Sequence, residues 1–143
     1  MLHLAVENPA DLSPAELREA YEAELRAAVE ASGVESVAAD AGVDEALLRD
    51  LVDGSVPEMT LEQAAAVLAT RSDVRDAETV VHEVRDHLLM GMATGVLDVD
   101  TVASNVDLDL SGQEVQQALE GRMPMTLAQL AAIHRFVESR QSP

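Results

Sequence analysis

Apolar residues in this chain recur at intervals of three and four, the spacing of one helix face rather than of a strand. The clearest stripe follows Ser13 and consists of Leu17, Ala20, Tyr21, Leu25, Ala28 and Val29. Ser13 and Glu16 form a capping box, Pro14 fits the first turn, and Gly33 ends the helix. No window alternates apolar and polar residues long enough to indicate a strand. The pattern therefore predicts an all-α fold.

The same start and stop signals divide the rest of the chain after a short N-terminal arm over residues 1–12. Further helices are predicted over Val34 to Ala41, Asp44 to Gly54, Thr60 to the polar break at Arg71–Arg75, Asp76 to Met92, around Val102 within Leu97 to Ser104, Ser111 to Gly121, and from Thr126 onward. In the long helix that begins near Asp76, we expect an inward face of Val80, Val81, Val84, Leu88 and Leu89.

Two segments of the chain repeat one another. Residues 59–66 and 125–132 agree at Met, Thr, Leu, Gln and two Ala, and each is preceded by a glycine and a proline: Gly54 and Pro57, Gly121 and Pro124. Alanine-rich composition does not explain this ordered series. We interpret the chain as two helical units, residues 13–70 and 76–140, packed together. The sequence leaves open whether they share one core.

The first unit carries a recognisable set of small and apolar residues: Val37, Ala38, Ala41, Gly42, Val43, Leu48 and Leu51. Their spacing resembles the phage-repressor-like (Cro/C1-type) helix-turn-helix, in which a small residue and a turn glycine let two helices meet at a steep angle. The second unit matches at Val102 and Ala103, but its turn is longer and Asp109 replaces the glycine. Over its whole length the chain also resembles a small family of haloarchaeal proteins without assigned function, a resemblance that includes Asp86–Met92.

The amino-acid composition excludes several classes of binding site and reaction. The 143 residues include 27 acidic and nine basic side chains, for a formal charge of −18, and every basic residue is Arg. Such an acidic surface repels itself at low ionic strength but is tolerated in molar salt, where the screening length is ~3 Å. The charge balance therefore resembles that of proteins from extreme halophiles. The absence of Cys excludes disulfides and thiolate zinc sites, and the absence of Lys excludes Schiff-base chemistry and a phosphate-loop lysine.

The helix-turn-helix resemblance implies that the third helix of each unit would face DNA. In the first unit that face consists of Asp44, Glu45, Arg49, Asp50 and Asp53, which is too acidic to neutralise phosphates. In the second unit it offers Gln113, Gln116, Gln117 and Arg122. Gln and Arg can pair with base edges, so this set is the candidate DNA contact, although three Gln also make an ordinary helix surface.

The histidines give no metal site on sequence grounds. The helix after Asp76 carries Glu78, His82, Glu83, Asp86 and His87. His82 and His87 lie about 140° apart around an ideal helix, so they do not chelate one ion, and we expect ion pairs on a solvated face. His3 and His134 have no readable partner. We predict no metal and no cofactor.

Gly91 and Gly95 lie four residues apart, and Met90 and Met92 flank Gly91. Small residues at that spacing allow a second helix to approach closely, and methionine adapts to irregular partners. These four residues are the candidate partner-docking surface. The alternative is that they form core between the two units, with a helix end at Gly95.

Taken together, these patterns favour a non-enzymatic protein-interaction or adaptor module, with a protein partner or a second copy of the chain as its ligand. The alternative is a DNA-binding transcriptional regulator that acts through the second unit. No stretch reaches the ~18 apolar residues of a membrane span, and the N-terminus has no basic region, so we expect a cytoplasmic location.

Overall fold

The computed structural model describes residues 2–55, 58–74 and 76–141, so Pro57 and Arg75 of the predicted loops lie outside the described residues. Within these ranges the chain is all-α, as predicted, and contains no strand. Two single-turn 3-10 helices (Leu2–Leu4 and Pro9–Asp11) precede eight α-helices: α1 (Pro14–Ser32), α2 (Val34–Ala41), α3 (Glu45–Asp53), α4 (Leu61–Leu68), α5 (Ala77–Thr94), α6 (Val99–Asn105), α7 (Gly112–Glu120) and α8 (Leu127–Ser139).

The residues predicted to begin helices cap the helix N-termini in the structure. Reciprocal capping boxes open α1, α4, α7 and α8, through Ser13, Thr60, Ser111 and Thr126. Each box satisfies two backbone donors that a helix N-terminus otherwise leaves free. Between α2 and α3 the chain turns at Gly42, whose φ of 66° is in the left-handed region. The boundaries predicted from capping residues are therefore confirmed.

One expectation about local structure is wrong. Leu89 was expected to face inward but is 45% exposed, because it lies one position beyond the buried stripe of Val80, Val84 and Leu88.

The described residues of the N-terminal arm, 2–12, pack against the rest of the chain. Leu2 is fully buried, and the two 3-10 turns pack against α5 and α8 respectively.

The two repeated segments meet at the centre of the molecule. Thr60 and Thr126 form an isolated antiparallel bridge. The Leu61 N–H donates to the Met125 carbonyl at 2.8 Å, and the Leu127 N–H donates to the Met59 carbonyl at 2.8 Å. Each segment therefore donates one hydrogen bond to the other and accepts one from it at equivalent positions, as in a two-fold symmetric interface.

The helix packing has the same reciprocity. The eight helices form two sets, α1–α4 and α5–α8, in which α5 is the counterpart of α1. Helix α1 packs on α8, and α5 packs on α4. The first helix of each set therefore lies against the last helix of the other set. The buried side chains of both sets form one continuous core. The two bridge hydrogen bonds contribute about 1 kcal/mol each. Burial of each large apolar side chain contributes about 1.5–3 kcal/mol. The shared core therefore dominates the association of the two sets.

Among the described residues, every helix is too short or too polar to cross a lipid bilayer.

Candidate functional site

The outward face of α3 is acidic in the folded chain. Asp44, Asp50 and Asp53 are exposed, and the guanidinium of Arg49 forms an ion pair with Glu45 one helical turn away. The one arginine of this face is therefore already engaged by a carboxylate of the same face. This arrangement offers no net positive charge for phosphate groups.

The outward face of α7 differs in having uncharged polar side chains. Gln113 and Gln116 are exposed, whereas Gln117 is half-buried. The Arg122 guanidinium is exposed and donates to Glu120 at 2.8 Å. The structure thus spreads the four candidate DNA-contact residues along α7, from Gln113 in its first turn to Arg122 just beyond its end, with the arginine paired to a neighbouring carboxylate.

The four candidate docking residues at the end of α5 are divided by the fold. Met90 is 63% exposed, but Met92 is only 7% exposed and belongs to the core. Gly91 faces α8, where an added Cβ would lie 2.5 Å from Cγ1 of Val137. An added Cβ on Gly95 would lie 3.3 Å from the Arg140 carbonyl oxygen. Both glycines and Met92 thus serve close packing against the C-terminal part of the chain, and only Met90 faces solvent.

Met90 has other apolar neighbours in solvent. Leu89 is 45% exposed, Ala93 is exposed, and Val96 is 90% exposed just beyond the helix. Residues three and four apart lie next to each other on a helix, so Leu89, Met90 and Ala93 are contiguous. We call Leu89, Met90, Ala93 and Val96 the α5 patch. It interrupts a surface that is otherwise strongly acidic.

The backbone at the end of the α5 patch is strained. Val96 has a φ of 53°, a left-handed conformation that is unusual for a β-branched residue. Its N–H donates to the Ala93 carbonyl, and the Leu97 N–H donates to the Met92 carbonyl at 2.8 Å. These are the two bonds of a Schellman motif, in which glycine normally occupies the left-handed position.

Comparison of α5 with its counterpart α1 shows that the α5 patch belongs to one unit alone. The two helices can be aligned by their buried residues, with Tyr21 and Leu25 of α1 matched to Val84 and Leu88 of α5. In this alignment the positions of the α5 patch are occupied in α1 by Arg26, Ala27, Glu30 and Gly33. Two charged residues and the expected glycine are thus replaced by apolar residues in the second unit.

A second feature is a cluster of histidines that the sequence did not indicate. His87 on α5, His134 and Glu138 on α8, and His3 in the first 3-10 turn meet beside the core. His87 Nε2 lies 2.6 Å from Glu138 Oε1, and His134 Nε2 lies 3.5 Å from the same oxygen. The His3 ring lies 4.8 Å from the His87 ring, centroid to centroid. We call these four residues the histidine cluster.

Tyr21 completes the surroundings of the histidine cluster. Its hydroxyl lies 2.5 Å from Nδ1 of His134, and both side chains are buried. Burial lowers the pKa of His134 to about 4 and raises the pKa of Tyr21. Burial, and then the nearby His87, also lowers the pKa of His3. Tyr21, the buried His134 and the half-buried His3 are therefore neutral at neutral pH.

Two ring nitrogens in the histidine cluster are buried without a hydrogen bond. They are Nδ1 of His3 and Nε2 of His134. Buried polar atoms of this kind are rare in folded proteins and call for an explanation such as a bound ion. His87, His134 and Glu138 each place a potential ligand atom within 4.8 Å of the others.

Sequence reasoning missed this cluster because its members are distant in the chain. His87 contacts Glu138 rather than the acidic residues of its own helix, and His3 and His134 both have partners, contrary to expectation. One signal was available. His134 falls on the apolar stripe of α8 with Leu127, Leu130 and Ala131, which places it in the core. His82 is exposed and lies outside the cluster.

Over the residues that the structure describes, the fold and these sites define an all-α protein with two cross-packed sets of four helices, a solvent-exposed apolar patch and a partly buried histidine cluster. A family model for proteins of unknown function (DUF5791) matches residues 17–140, so the chain belongs to that family. Neither the curated proteins nor the solved structures contain a match to the chain.

Proposed function

We propose that this protein is a cytoplasmic, non-enzymatic protein-interaction module that binds an apolar helix of a partner protein through the α5 patch. The observation that carries the proposal is the exposure of Leu89, Met90 and Val96 on a chain of charge −18. Contiguous apolar surface on a soluble protein is typical of interaction sites. Full burial of an exposed side chain of this kind contributes about 1.5–3 kcal/mol, a figure that applies to Val96 and in part to Leu89 and Met90. Contacts of this size can anchor a complex.

The internal comparison supports this interpretation. The corresponding surface of α1 carries Arg26 and Glu30, so the scaffold does not require apolar residues at these positions. Val96 keeps a strained conformation with its side chain in solvent, and strain of this kind is frequent at functional sites. In the molar salt to which the composition is suited, charge repulsion between this chain and a partner would be screened within a few ångströms.

The experiment uses the absence of cysteine from the chain. A photo-crosslinker is attached to Ala93→Cys, inside the α5 patch, or to Ala39→Cys, an exposed position on α2. Both proteins are exposed to native cell extract in molar KCl. The proposal predicts a discrete adduct from Ala93→Cys that is suppressed at least tenfold by adding Met90→Glu, and no such adduct from Ala39→Cys. Equal adducts from the two positions, or an adduct insensitive to Met90→Glu, would refute it.

A second candidate function is DNA binding by the second unit, which the exposed, uncharged Gln113 and Gln116 at the start of α7 favour. With Gln117 and Arg122, they would contact base edges and phosphate. Selection of genomic DNA fragments by the purified protein in molar KCl would then recover a recurrent sequence, and Arg122→Ala would weaken its binding. Recovery of no sequence, or equal affinity before and after the substitution, counts against this candidate.

A further inference from the structure

We propose that His87, His134 and Glu138 form a binding site for a single Zn²⁺ ion, beside the ring of His3. This inference is independent of the protein-interaction function. It rests on how separate parts of the chain converge: α5 supplies His87, consecutive turns of α8 supply His134 and Glu138, and the first 3-10 turn places the His3 ring next to the His87 ring.

The ligand types and their spacing suit zinc. Two imidazoles and one carboxylate, with a fourth position left to water, are a known zinc ligand set, with bonds of about 2.0–2.2 Å and hence ligand atoms about 3.3 Å apart in a tetrahedral site. The separation of 3.5 Å between His134 Nε2 and Glu138 Oε1 is close to that value. The 2.6 Å contact between His87 Nε2 and Glu138 Oε1 is a hydrogen-bond distance, which would lengthen slightly when the ion takes the place of the shared proton.

A buried nitrogen without a hydrogen bond points to the same conclusion. His134 is 1% exposed, and its Nε2 has no hydrogen-bond partner although the carboxylate of Glu138 is near. Nδ1 of His3 is also buried without a partner. A cation held by His87 and Glu138 would satisfy Nε2 of His134, whereas water would need room and several further polar partners.

Tyr21 prepares His134 for this role. Its hydroxyl is hydrogen-bonded to Nδ1, which leaves Nε2 as the ligand atom. With the ion on Nε2, Nδ1 would carry the ring proton and donate it to the Tyr21 oxygen. Such a bond fixes the orientation and tautomer of a metal-binding imidazole. Because His87 lies on α5 and the other two ligands lie on α8, the ion would tie these two helices together.

The test uses the full chain, freed of metal and titrated with Co²⁺ and Zn²⁺ in molar KCl. His87→Gln and Glu138→Gln each remove one ligand, and His82→Gln is the matched control because His82 is an exposed histidine of α5 outside the cluster. We expect one Zn²⁺ per chain, the visible absorption of tetrahedral Co²⁺, and a zinc-dependent rise in melting temperature. Each ligand variant should lose at least about tenfold in affinity, and His82→Gln should match the wild type.

Circular dichroism verifies that each variant is folded before its affinity is interpreted, and the wild-type titration decides the matter even if a variant fails to fold. Binding that is weak and equal in all variants would mean an adventitious ion on the acidic surface only, and would overturn the proposal. A Co²⁺ spectrum unchanged by His87→Gln would equally overturn the proposed site.

Discussion

At the scale of single residues, Val96 is the position where the sequence and the backbone disagree most. Its φ of 53° places a β-branched side chain in the left-handed region, at a cost of roughly 1–2 kcal/mol. Glycine removes that cost but has more conformational freedom to lose on folding. We expect Val96→Gly to stabilise the protein by up to about 1 kcal/mol in urea denaturation.

Val106→Gly is the matched control for Val96→Gly, because Val106 also follows a helix but has a φ of −101°. It should destabilise the protein. The same Val96→Gly substitution should weaken crosslinking through the α5 patch, because it removes apolar contact surface. A gain in stability together with a loss of binding would show that the strain is retained for function. A loss of stability in Val96→Gly would show that the strain is absent.

Glu22 is a carboxylate that the fold holds almost out of solvent. It is 3% exposed, and burial raises its pKa although Arg18 lies 3.3 Å away and opposes the shift. A carboxyl whose pKa is higher in the folded state destabilises the protein as pH rises through the unfolded value. Glu22→Gln should therefore increase the free energy of unfolding at pH 7 more than at pH 4. Glu30→Gln, at an exposed position of the same helix, should show no such difference.

At the scale of elements, the critical contact is the close approach of α5 and α8. Gly91→Ala would place a Cβ 2.5 Å from Cγ1 of Val137, and valine has little rotamer freedom to move away. We expect a loss of about 1–3 kcal/mol from overpacking, larger than the gain of up to about 1 kcal/mol from better helix propensity. Thermal or urea unfolding measures the difference.

A double-mutant cycle separates this contact from general effects. Adding Val137→Ala removes the clashing methyl group, so Gly91→Ala should cost less in that background than in the wild type, with a coupling of about 0.5–3 kcal/mol. Strict additivity of the two substitutions would contradict the close approach seen between Gly91 and Val137.

The elements themselves were largely readable from the sequence. Capping residues such as Ser13 and Thr126 define helix starts because a free backbone donor needs a local side-chain acceptor, and this requirement is visible within four residues. The exposure of Leu89 could not be predicted from such local signals. It depends on how α5 is rotated against its neighbours, which a single helix pattern does not specify.

At the scale of the whole molecule, sequence reasoning predicted the duplication but not its consequences. The match between residues 59–66 and 125–132 indicated two copies. Their reciprocal hydrogen bonds and crossed packing required the structure, because both join residues far apart in the chain. The histidine cluster could not be predicted from the sequence for the same reason. Its four members come from three elements, and no local periodicity connects His3 with Glu138.

The central claim is that the two sets of helices form one cooperative unit around a pseudo-two-fold bridge. The most direct test is urea unfolding of the full chain followed by NMR, with separate signals from Leu48 in α3 and Val115 in α7, both fully buried. Hydrogen exchange at the Leu61 and Leu127 amides reports on the bridge itself. Coincident unfolding midpoints, with both bridge amides exchanging only by global unfolding, are predicted. Loss of one set of signals at lower urea than the other would contradict the claim.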